Sequence, residues 1–240
     1  MADTEKYLKL ARLAREEENA EDARKYYDMV RTEDPENAEA KFFYSYYRIM
    51  DGTKGEAYNN FVSLCNSISS TLSLLSVSNE SDAEKKALLR AMVAYLWEAL
   101  DVAASAELSV HGPDNNVKIH RTCIAAAESI VAWCEKEYGN DSDALPVKYL
   151  HLKNKATHGM SDYRKNAEAA YALGDEIEGA YSSDPALMEI AVDSWKYAIA
   201  TQLEYRAYFR DKARPQRYAE KIQKYNPGYQ LPAKSGCMGK

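Results

Sequence analysis

Apolar positions along this chain recur at helical spacing, and nothing alternates convincingly with period two. Tyr7, Leu10, Ala11 and Ala14 fall at i, i+3, i+4 and i+7, one face of a first helix that Asn19 interrupts. Ala23, Tyr27 and Val30 form the face of a second helix, with small Ala23 set against small Ala11 and Ala14 where two antiparallel helices must approach closely. Asp34-Pro35-Glu36 predicts the start of a third: Asp34 as N-cap, Pro35 with its φ preset for the first helical position, Glu36 at the positive helix end. Further on, Ala57, Phe61, Leu64, Ile68, Leu72 and Leu75 keep to one stripe, which predicts an extended helix packed against others.

The segment SVSNES at 76–81 is the clearest polar break, and Ser81 with Glu84 makes a capping box for the next helix. That helix runs to about Val110. Leu88, Ala91, Met92, Tyr95, Leu96, Ala99, Val102, Ala103 and Ala106 make it apolar nearly all round, as in a helix surrounded by others. Its successor carries Val117, His120, Ile124, Ala127, Val131, Cys134 and Tyr138 and stops at Gly139-Asn140. Another spans 145–158 and stops at Gly159, after which Ser161 or Asp162 caps a helix with Ala167, Ala170, Tyr171, Gly174 and Ile177. Asp184-Pro185 repeats the start signal for a helix carrying Leu187, Ala191, Trp195, Ala198, Gln202, Tyr205 and Phe209. Pro215 opens a short last helix with Tyr218, Ile222 and Tyr225. The fold class is therefore all-α, about ten helices, organised as residues 1–76, a helical bundle at 82–228 and a disordered tail at 229–240.

The order of aromatic, Leu-small pair, small residue, then Ala, aromatic, small apolar residue and Pro over residues 4–37 resembles the tetratricopeptide repeat. Thirty-four residues on, Ala57, Phe61 and Leu64 stand for Ala23, Tyr27 and Val30, and Tyr44 and Ser45 for Leu10 and Ala11, while Ser69 replaces the terminal Pro. The resemblance implies hairpins whose first helices line a concave surface, with Lys9, Arg12, Lys41 and Arg48 as polar contacts to a carboxylate-bearing ligand. Two repeats lack enough neighbours to stand alone, so the rest of the chain is expected to supply the missing packing surface.

Composition narrows the function classes. The 240 residues are 46% apolar and 28% charged, with only 10 Gly and 7 Pro, a balance that suits a folded helical protein. A net charge of -6 argues against a dedicated nucleic-acid binder. No long uncharged apolar run and no apolar leader occurs, which points to a cytoplasmic protein without a membrane contact. The four cysteines have no CxxC spacing and read as buried free thiols, with no metal and no cofactor expected. Charge is nevertheless uneven: residues 14–39 hold ten acids and four bases, whereas residues 206–224 hold seven bases and two acids. Arg206, Arg210, Arg214 and Arg217, interleaved with Tyr208, Phe209 and Tyr218, form a second candidate contact surface for an acidic peptide or a nucleic-acid backbone, or a face that docks on the chain's own acids.

Catalytic patterns are sparse; phosphate-cradling Gly loops, nucleophile elbows and H-E-x-x-H are absent. Lys153-Asn154-Lys155-Ala156-Thr157-His158-Gly159 is similar to the Arg-Asn-x-x-x-His-Gly signature of the HEPN domains, helical bundles that include metal-independent ribonucleases, with Lys153 in place of the arginine. That resemblance implies His158 as general acid or base on RNA, Asn154 one turn away, and a homodimer that brings two copies together. Lysine lacks the planar fork that grips phosphate through two bonds, and a His before Gly also serves simply as a cation at a helix end. The leading expectation is a non-enzymatic scaffold that offers a groove to a protein or peptide; the RNA-acting module is the alternative.

Overall fold

The computed structural model describes residues 2–111, 116–139, 141, 143–158 and 162–232, and among these it contains ten α-helices and no strand. They are α1 (Ala2–Glu16), α2 (Ala20–Glu33), α3 (Ala38–Met50), α4 (Lys54–Val77), α5 (Asp82–His111), α6 (Asn116–Tyr138), α7 (Leu145–Thr157), α8 (Tyr163–Tyr181), α9 (Pro185–Glu204) and α10 (Arg214–Gln223). The all-α expectation holds. The chain forms two compact units, Met1–Val147 and Lys148–Lys240. The polar segment 76–81 lies inside the first unit, its first two residues ending α4 and the rest linking α4 to α5, which pack on each other. Of the expected tail, residues from 233 lie outside the described residues, as do Gly159 and Ser161.

The first unit is a stack of helical hairpins. Each helix packs on the next from α1 to α6, and in addition α3 packs on α5 and α4 on α6. The pair α5 and α6 thus takes the place of a third layer behind α1/α2 and α3/α4, which satisfies the need of each layer for a neighbour. Ala11, Ala14 and Ala23 are buried where α1 meets α2, as their small size requires. Tyr27, Val30, Phe42, Phe43, Phe61, Leu64, Ile68 and Leu89 are fully buried, each contributing about 2 kcal/mol of apolar transfer free energy. Ser81 and Glu84 close the expected capping box, Ser81 N–H donating to Glu84 Oε2 at 2.9 Å and Glu84 N–H to Ser81 Oγ at 3.3 Å.

Two local expectations are corrected. Asp34 does not cap α3; its own N–H closes α2 on the Val30 carbonyl and its carboxylate takes the Glu36 N–H in a turn. Asn37 is the cap, its side chain accepting from Ala40 N–H at 2.9 Å, so α3 starts three residues later than the Asp-Pro signal. On α6 the buried face is Ile119, Cys123, Ala126, Ala127, Ile130 and Cys134, because the helix must meet both α5 and α4. Val117, assigned to that face from spacing, is 45% exposed.

In the second unit, α8 packs on α9 and α9 on α10. Asp184 caps α9 through the N–H groups of Ala186 and Leu187, with Pro185 at the first position as expected. Asp162 caps α8. The α8–α9 contact is close at Gly174, where an added Cβ would lie 2.3 Å from the indole nitrogen of the fully buried Trp195.

Candidate functional site

Of the four cations assigned to a concave surface, Arg12 is committed inside the fold. Its Nε lies 3.1 Å from both carboxylate oxygens of Glu39 and its Nη2 lies 2.5 Å from Oε2. Glu39, only 5% exposed in the first turn of α3, also accepts from the Tyr27 hydroxyl at 2.9 Å and from Arg15 at 3.3 Å. The Arg15 guanidinium lies over the Phe43 ring. A buried carboxylate is tolerable here because three donors replace its water; the hydrogen bond to Glu39 raises the Arg12 pKa and burial raises that of Tyr27. Lys41 and Arg48 lie seven residues apart, about half a turn around α3 from Glu39 at ~100° per residue, so they face away from Arg12. Arg48 is tied to Asn60, donating to its side chain at 2.9 Å. Exposed Lys9 pairs with Glu5 of its own helix at 2.9 Å. These four cations do not converge on one groove.

A groove does lie elsewhere in the first unit. Cys65, Asn66, Ile68 and Ser69 of α4 face Val117, Lys118, Arg121, Thr122, Ala125, Ala126 and Ser129 of α6 across a depression of 670 Å³. Among the described residues that line it, none is acidic. Lys118 and Arg121 are exposed and, among the described residues, neither enters an ion pair. Lys118, Arg121, Thr122, Ala125 and Ser129 fall at i, i+3, i+4, i+7 and i+11 of α6, a polar and small-residue stripe. That stripe is readable in the sequence, but the apolar face inferred from spacing shares only Ala127 and Cys134 with the buried one and lies one position off it at His120, Ile124 and Val131.

The alternative catalytic trio sits at the end of α7 in the second unit. Asn154 is 9% exposed, and its carbonyl accepts from His158 N–H at 2.9 Å and lies 2.9 Å from His158 Nδ1. Thr157 Oγ1 lies 2.9 Å from the same nitrogen. Lys153 approaches Asp193 of α9 at 4.0 Å. These contacts fasten the helix terminus, the plain structural role of a His at such an end.

The basic segment of the second unit divides in two. Arg214 donates to Glu168 at 2.5 Å and lies 3.9 Å over the Tyr171 ring, and Lys221 pairs with Asp175 at 2.7 Å and Glu178 at 2.5 Å while covering Trp195. Glu168, Asp175 and Glu178 form one stripe of α8, so α10 docks on it by charge and ring contacts together. Tyr218 donates to Asp175, and Arg217 pairs with Asp211. Phe209 is buried. Arg206, Arg210, Lys212 and Lys224 stay exposed without an ion pair among the described residues.

Other chemistry is thin. Cys65, Cys123 and Cys134 are buried free thiols, as expected; burial pushes Cys65 up to about 12 and Cys134 up to about 11, away from nucleophilic thiolate. Cys237 lies outside the described residues. Among the described residues no cluster of three His, Cys, Asp or Glu could hold a metal ion, and no helix is long and apolar enough to cross a membrane. No family model, curated protein or solved structure matches the chain.

Proposed function

We propose that this chain is a non-enzymatic helical-hairpin protein whose first unit recognises a protein or peptide segment carrying carboxylates, in the groove between α4 and α6. The observation that carries the reading is a 670 Å³ depression whose two cations enter no ion pair, and whose lining holds no acid, among the described residues. Its volume lies within the range of ligand sites generally. Ile68, Ala125, Ala126 and exposed Val117 give it an apolar floor and edge, and the hydroxyls of Ser69, Thr122 and Ser129 give it polar walls. A segment that alternates acidic and apolar side chains matches both. The stacked hairpins support the same reading, as does the tetratricopeptide resemblance, since rigid layers hold two helices at a fixed separation along a groove.

The first unit as a whole is acidic, with sixteen Lys and Arg against twenty-six Asp and Glu, net -10. At physiological ionic strength charges act over about 8 Å, so the two groove cations dominate what a docked segment meets while the distant acids slow its approach. The test is fluorescence anisotropy of labelled random peptides in two pools, one rich in Asp and Glu, one in Lys and Arg, each interspersed with Leu and Val. Wild-type protein should retain the acidic pool and release it on adding salt. Retention of the basic pool, or of neither, refutes the proposal.

A further inference from the structure

The second unit carries a surface of a different character. From Lys148 onward the sequence holds fifteen Lys and Arg against eleven Asp and Glu, net +4, the opposite sign to the first unit. Where α8 begins and α9 ends, Tyr163 and Tyr205 stack with ring centroids 4.1 Å apart and planes 8° apart. Tyr163 is 56% exposed, and Tyr208, on the short 3-10 turn after α9, is 70% exposed. Beside these rings in the chain stand Arg164, Lys165, Arg206 and Arg210, all exposed and none in an ion pair among the described residues.

Three acids close to them in the chain have partners of their own. Asp162 accepts from the backbone N–H groups of Arg164 and Lys165, Asp211 holds Arg217, and Glu168 holds Arg214. The cations and ring faces are thus left together for a ligand from outside the chain. An acidic polypeptide would use the cations and leave the flat rings in water. A ligand with planar rings and regularly spaced negative charges uses both, and a duplex hides those rings in its stack.

We propose that this surface binds single-stranded nucleic acid, bases stacking on Tyr163 and Tyr208 while phosphates meet Arg164, Lys165, Arg206 and Arg210. The inference stands apart from the α4–α6 groove and assigns no role to His158. Its test uses the whole chain with fluorescein-labelled oligouridylate and oligothymidylate of about 15 nucleotides, a length that spans a typical single-strand site, read by anisotropy. Binding of either strand supports the proposal, and comparison of the two shows whether the ribose hydroxyl contributes. With four phosphates contacted, affinity falls about 50-fold between roughly 50 and 200 mM salt; with Arg206→Ala and Arg210→Ala combined, that dependence drops to about sevenfold. Tyr208→Ala weakens binding about tenfold and leaves the salt dependence as it was, and Tyr208→Phe restores affinity. All three side chains are exposed, so helicity by circular dichroism stays at the wild-type level. No binding of either strand overturns the proposal. So does binding indifferent to Tyr208→Ala and fully displaced by polyglutamate, which would mark the surface as one for acidic polypeptides.

Discussion

Replacing Gly174 by Ala sets two effects of opposite sign against each other, and the structure says which wins. Gly in a helix interior is worse than Ala by about 0.8–1 kcal/mol, so relief of backbone entropy alone would stabilise the variant. The new Cβ, however, would lie 2.3 Å from Trp195 Nε1, 2.6 Å from Cδ1 and 2.7 Å from Cε2. That indole is fully buried, overlain by Lys221 and in contact with Tyr218, so it has nowhere to swing. Overpacking of this kind costs about 1–3 kcal/mol, and contacts this short against a trapped ring place it at the upper end. The net expectation is destabilisation by about 2 kcal/mol. Gly179 supplies the control on the same helix: nothing lies within 4 Å of its Cβ position, so Gly179→Ala should gain about 0.5–1 kcal/mol. Urea unfolding followed by tryptophan fluorescence measures both. A Gly174→Ala protein at least as stable as Gly179→Ala would refute the close α8–α9 contact.

Glu39→Ala leaves Arg15, 21% exposed at its side chain, and the Tyr27 hydroxyl without their shared acceptor; thermal unfolding should show a loss of about 3 kcal/mol, the low end for a buried ion pair because Arg12 is 41% exposed and can turn to water. A loss below about 1 kcal/mol would contradict the buried network. The thiols give a pH prediction. Unfolded Cys65 and Cys134 lose their protons near 9.0, whereas the folded thiols hold theirs up to about 12 and about 11. The folded state therefore binds more protons in that window, so stability is level below pH 9 on their account and declines as pH rises beyond it. Urea midpoints across that range should fall less steeply in Cys65→Ala and Cys134→Ala proteins, each compared with its own value at neutral pH.

Helix existence was legible in the sequence because it rests on local periodicity and caps, and exact faces were not because they depend on neighbours. The same dipeptide shows the boundary. Asp184-Pro185 starts α9 as read, with Asp184 accepting two backbone N–H groups, whereas Asp34-Pro35 is overruled by Asn37, a second cap three residues later that serves α3 instead. On α6 the apolar residues allowed two faces a residue apart, and only contact with both α4 and α5 selects Cys123 over Ile124. That shift hid the groove, since Lys118 and Arg121 gain meaning only when α4 stands opposite. Pairings between distant residues were equally out of reach: Arg12 reads as a surface contact until Glu39, twenty-seven residues on, is seen beneath it. The seven bases at 206–224 read as one patch until α8 claims Arg214 and Lys221.

Recognition through the α4–α6 groove is tested most directly by reversing its charge. The protein carrying Lys118→Glu and Arg121→Glu together is titrated, beside wild type, with one acidic and one basic peptide of matched apolar content. Both side chains are exposed, so the fold should persist by circular dichroism. The expected result is a switch of preference, with the acidic peptide lost and the basic one gained. Unchanged affinity for the acidic peptide would contradict a role for the groove.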